Sequence, residues 1–98
     1  MSQQTIQKLK PSQILRETKI EQNFGSLSNG DGKFCAVGVL YNYLGWDGIS
    51  DSDLIGDERP LLRDLGVHAH TVIEIFDMND CMRWSFSQIA DWLEERGL

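Results

Sequence analysis

Asp31-Gly32-Lys33-Phe34-Cys35-Ala36-Val37-Gly38-Val39-Leu40-Tyr41-Asn42-Tyr43-Leu44-Gly45 is the stretch on which the fold of this chain turns. From Phe34 to Leu44 only Asn42 is strongly polar. Phe34, Val37, Tyr41 and Leu44 fall on one helical face, and Cys35, Val39, Leu40 and Tyr43 fill the rest. The spacing predicts a helix over residues 34–44 that is apolar almost all round, the pattern of a helix buried by other elements. Asp31-Gly32 signals a turn ahead of it. Gly45 is a natural stop, because glycine accepts the left-handed conformation at a helix end. Gly38 costs about 1 kcal/mol of helix propensity relative to alanine. Close approach of another backbone at Ala36 and Gly38 would explain that cost. A strand is the alternative for a short apolar run, but the run's length and its flanking glycines favour the helix.

The chain around this stretch is read as all-α, a small single-domain helical bundle wrapped about the 34–44 helix. Its 98 residues suit one domain. Hydrophobic residues make up 41% and charged residues 24%, as in ordinary globular proteins. No apolar run is long enough to cross a bilayer. The polar start, Met1-Ser2-Gln3-Gln4-Thr5, lacks the apolar region of a signal peptide, so a cytoplasmic location is expected. Residues 1–10 are read as a frayed N-terminus and 11–98 as the domain.

The net charge of −6 is unevenly spread. Residues 1–33 hold five basic and three acidic side chains, and residues 34–98 hold four and twelve. The acidic part repels nucleic acid and anionic membrane, so neither is expected as a partner. Cys35 and Cys81 form neither a CxxC pair nor a disulfide framework. They read as reduced thiols acting as small hydrophobes.

Along the chain, Pro11 suits the first turn of a helix over residues 11–19, with Ile14 and Leu15 facing inward. Residues 25–32 are a loop by composition, without a phosphate-binding pattern. Asp47 to Glu58 fails as a calcium loop at Ile49 and Ser52. Ser50 instead caps a short helix over 51–55. Pro60 opens another over 61–65, stopped by Gly66. Val72, Ile73, Ile75 and Phe76 fit a helix over 71–79, although their β-branching also suits a strand. Asn79-Asp80 is expected to end it. Ser85-Phe86-Ser87-Gln88 is a capping box opening an amphipathic helix over 86–96. Phe86, Ile89, Ala90 and Leu93 line its inner face, and Trp84 is placed to staple its first turn.

Gly32-Lys33-Phe34-Cys35-Ala36-Val37-Gly38-Val39-Leu40 resembles the Gly-x-x-Cys-Ala-Leu-Gly-Ala-Leu signature of a family of small uncharacterised helical domains of bacteria, archaea and phages. Those chains often carry a later Asn-Asp pair and then a capped amphipathic helix. Asn79-Asp80 and the segment from Ser85 to Glu94 are similar. The likeness spans about residues 12–96, with Val37 and Val39 where Leu and Ala are usual. The resemblance implies a helical fold and, since the family has no established activity, no chemistry.

No motif specifies a biochemical function, and none calls for a cofactor. A cysteine-dependent hydrolase can be assembled from Cys35 near a helix start, His68 or His70, and Asp77 or Asn79. Its parts are common, and the apolar neighbours of Cys35 speak for a buried structural thiol. A metal site can be assembled on His68 and His70, with Asp77, Asp80 and Cys81 nearby, but no second closely spaced ligand pair completes it. A helix-turn-helix around Gly66 would present Glu74, Asp77 and Asp80 to DNA with no base-reading arginine. The remaining class is a small non-catalytic module that binds another protein. Trp46, Trp84 and Trp92 are its candidate anchors wherever they are exposed, and core residues otherwise.

Overall fold

In the computed structural model, residues 9–46, 62 and 65–98 are described. The helix expected over 51–55, its Ser50 cap and the Asp47 to Glu58 loop lie outside them. So do residues 1–8 and most of the 61–65 helix, of which Leu62 and Leu65 are described and buried.

The elements run α1 (Pro11–Glu17), β1 (Glu21–Gln22), β2 (Lys33–Phe34), α2 (Ala36–Tyr43), α3 (Ala69–Phe76), a π-helical turn (Asp77–Cys81) and α4 (Phe86–Glu94). Helix α2 is the centre of the core. Every residue from Ala36 to Tyr41 is buried. It starts two residues later than the apolar run suggests, because Cys35 is its N-cap in extended backbone and Phe34 belongs to a strand. Gly45, with a φ of 118°, ends the helix. Its N–H donates to the Asn42 carbonyl, and the Trp46 N–H reaches back to that of Tyr41. This glycine-centred closure satisfies carbonyls the helix leaves open. It folds Trp46 under the helix, edge-on to Phe34 and Tyr41 with ring centroids 5.7 and 6.2 Å away.

The all-α expectation is corrected by a small parallel sheet. Glu21 pairs with Lys33 and Gln22 with Phe34. Residues 23–32 leave β1 and return across the start of α2. There the Asn23 N–H donates to the Phe34 carbonyl at 2.8 Å and the Cys35 N–H to the Leu27 carbonyl at 3.0 Å. The returning backbone lies against Gly38. A Cβ at that position would stand inside contact distance of the Leu27 carbonyl oxygen and 3.2 Å from the Phe34 ring. The helix-propensity cost of Gly38 is thus offset by a backbone approach that no other residue permits.

The segment read as helix or strand is helix α3, with Thr71, Val72 and Ile75 buried. It does not end at Asn79-Asp80. Instead it widens into the π-helical turn, whose Asp77 carbonyl receives the Met82 N–H at 3.0 Å. Arg83 follows with a φ of 56°, and its guanidinium lies 4.8 Å from the Phe24 ring centroid.

Helix α4 carries the expected capping box. The Ser85 N–H donates to Gln88 Oε1 at 2.9 Å, and the Gln88 N–H donates to Ser85 Oγ at 3.2 Å. It ends at Glu94 rather than 96, closed by Gly97 with a φ of 79°. Its buried face of Ile89, Ala90 and Leu93 packs on Ile14 and Leu15 of α1. Ser12 ties α1 to the end of α4 through its N–H and hydroxyl, both donated to the Leu98 carbonyl. Among the described residues no helix is long and apolar enough to cross a membrane.

Candidate functional site

The thiol of Cys35 is sealed in the core, fully buried, and accepts the Gly38 N–H at 3.4 Å. Burial pushes its pKa up to about 11; the Asp80 charge pushes the same way, while the Gly38 N–H opposes both. A thiol in this setting is protonated at neutral pH and has no path to a substrate. His68 and His70 sit at the exposed start of α3, stacked on one another with centroids 6.1 Å apart. Neither imidazole hydrogen-bonds Cys35. Asp77 is exposed, and its carboxylate accepts a hydrogen bond from Cys81, which raises that thiol's pKa. The parts of the hydrolase reading are therefore not assembled. Nor is the metal reading completed, since among the described residues no group of three His, Cys, Asp or Glu can hold an ion.

Of the residues in the hydrolase reading, Asn79 bonds the backbone of Ala36, next in the chain to Cys35, and it plays a different part. Its side chain is fully buried. Asn79 Oδ1 accepts the Ala36 N–H at 3.1 Å and Gln22 Nε2 at 2.7 Å. Asn79 Nδ2 donates to the Asn23 carbonyl at 2.9 Å and to Asp80 Oδ1 at 2.7 Å. One amide thus uses its full capacity of two donated and two accepted bonds. Gln22 Nε2 also donates to the Trp84 carbonyl, and Asp80 Oδ1 accepts the Gly25 N–H. The Cys-Ala and Asn-Asp motifs, distant in sequence, meet in this network. It locks together the start of α2, the sheet, the π-helical turn and the backbone of Trp84.

The three tryptophans separate. Trp46 is core at 6% exposure. Trp84 and Trp92 are half-buried and line an open groove of about 370 Å³ with Ile73, Met78 and Met82. Ile73 and Met82 are the most exposed large apolar side chains described, at 67% and 49%. The carboxylates of Glu74 and Asp77 complete the lining. A second hollow of about 220 Å³ shares both tryptophans and adds Gln88, Asp91 and Glu95. Arg96 lies flat on Trp92, its Cζ 3.7 Å from the ring centroid, and donates to the Trp92 carbonyl.

Ile73, Met78 and Met82 are the groove residues that the sequence reading did not single out for binding. Ile73 had a signal, because it widens the apolar face of α3 beyond the Val72 and Ile75 side that the core uses. Met82 and Gln22 had none, since each owes its place to the π-helical turn. Comparison of the chain with protein-family models, with curated proteins and with solved structures gave no match.

Proposed function

We propose that the chain is a protein-interaction module whose binding surface is the groove between α3 and α4. The observation that carries this reading is the pairing of exposed Ile73 and Met82 with half-buried Trp84 and Trp92 over one hollow. Tryptophan rings offer large contact area at small entropic cost, and methionine adapts to the shape of what it meets. The buried network behind Trp84 holds that wall in place, so part of the ordering is complete before a partner arrives. Both cysteines are free thiols, which suits a reducing, cytoplasmic setting.

Panning a random peptide library against the full chain tests the reading. Peptides that bind the wild type are expected to weaken at least about tenfold on Ile73→Asp, the equivalent of about 1.4 kcal/mol. Ile73 is two-thirds exposed, so this change leaves the fold intact, as circular dichroism would verify. Ligands that bind both proteins equally well would place the binding surface elsewhere.

A further inference from the structure

We infer that the occupant of this groove is a basic, amphipathic segment of another protein, one that lays large apolar side chains on Ile73, Met82 and Trp84 and sets a lysine or arginine against Glu74 and Asp77. The inference rests on the groove reading above and adds the chemistry of the partner.

Charge is the first argument. Both hollows carry carboxylates, Glu74 and Asp77 in one and Asp91 and Glu95 in the other, and among the described residues no cationic side chain lines either. From residue 69 to the end of the chain there are six acidic side chains and only two basic ones, Arg83 and Arg96.

Among the described residues the three arginines are already engaged, and none of them with Glu74, Asp77 or Glu95. Arg16 holds Asp91 and Glu94 at 2.6 and 3.1 Å. Arg83 is drawn over Phe24, and Arg96 is stacked on Trp92. Among the described residues Glu74 and Glu95 have no ion-pair partner, and Glu74 and Asp77 are exposed at the groove. An arriving cation therefore meets unneutralised carboxylates beside an apolar floor.

Arg96 supplies the second argument, because it displays the contact in miniature. A guanidinium rests on the Trp92 face within an acidic surround, the setting in which cation–π attraction adds to charge attraction. Acidic segments, nucleic acid and anionic lipid meet the same field as repulsion.

The test is a library of amphipathic peptides with a fixed apolar face of Leu, Met and Phe and with Lys, Glu or Gln at each polar position. It is selected on the full chain and counter-selected on Ile73→Asp. The expected survivors are rich in Lys. The best should bind at least about tenfold tighter than its all-Gln counterpart, weaken as salt rises, and lose about tenfold on the double change Glu74→Gln and Asp77→Asn. Survivors rich in Glu, or without charge bias, overturn the inference and leave the groove reading standing. A selection that yields no peptide sensitive to Ile73→Asp overturns both.

Discussion

The backbone N–H of Ala36, in the first turn of the central helix, donates at 3.1 Å to the side-chain oxygen of Asn79 in the π-helical turn. A helix start buried in a core needs partners for its unsatisfied N–H groups. Cys35 takes one with its sulfur and Asn79 takes another. Asn79→Leu would leave the Ala36 N–H, the Asn23 carbonyl and the Gln22 amide short of a partner. Each unsatisfied buried group costs about 1–3 kcal/mol, so a loss of about 3 kcal/mol or more is expected in urea unfolding. A loss below about 1 kcal/mol would show that water replaces the amide.

Gly38→Ala sets two effects against each other. Alanine improves helix propensity by about 1 kcal/mol. The added methyl, however, would collide with the backbone of Leu27, which is held there by its bond from the Cys35 N–H. Overpacking of this kind costs about 1–3 kcal/mol and sometimes more, and backbone yields less readily than a side-chain tip. Net destabilisation of up to about 2 kcal/mol is expected from the midpoint of chemical denaturation. A rise in stability would mean that the 23–32 segment is free to move off the helix.

The features legible in the sequence are those that residues a few positions apart decide. Ser85 and Gln88 announce their cap because they bond each other, and Gly38 stands out because glycine is wasteful inside a helix without a reason. The sheet is not legible. Its strands are two residues long, too short for alternation to register, and β1 is the polar pair Glu21–Gln22. Asn79 reads locally as a helix terminator, yet three of its four partners lie 43 to 57 positions away. The tryptophans split for a similar reason. Trp46 is drawn inward by the closure at Gly45, whereas Trp84 and Trp92 owe their half-exposed state to where the π-helical turn directs the chain.

The sealed thiol makes a pH-dependent contribution whose sign is fixed. Cys35 titrates at about 11 in the folded chain against an ordinary value of 9.0. Above pH 9 the unfolded state therefore loses its proton first, and stability falls as pH rises until the folded thiol titrates too. A gap of that width is worth about 2–3 kcal/mol. Below pH 9 the contribution is fully present and flat. Because lysines and tyrosines titrate nearby, the measurement is the difference between wild type and Cys35→Ala, and the alkaline slope of the wild type should be the steeper. In the native state at neutral pH, iodoacetamide should label Cys81 alone. Labelling of Cys35 at a comparable rate would contradict its burial.

Tyr41 offers the opposite case, a change expected to cost nothing. Its side chain is 2% exposed, and its hydroxyl has no hydrogen-bond partner among the described residues. The ring is well used, edge-on to Trp46 within the core. A buried hydroxyl without a bond carries a desolvation penalty of about 1–3 kcal/mol, and phenylalanine removes it while keeping the ring. Tyr41→Phe should therefore leave stability unchanged or raise it by about 1 kcal/mol, read as an equal or higher melting temperature. Tyr41→Ala should lose about 3–5 kcal/mol, as aromatic truncations in cores do. The contrast isolates the oxygen from the ring. A loss of more than about 1 kcal/mol on Tyr41→Phe would show that the hydroxyl is bonded in solution, to an internal water or to a neighbour that moves to meet it.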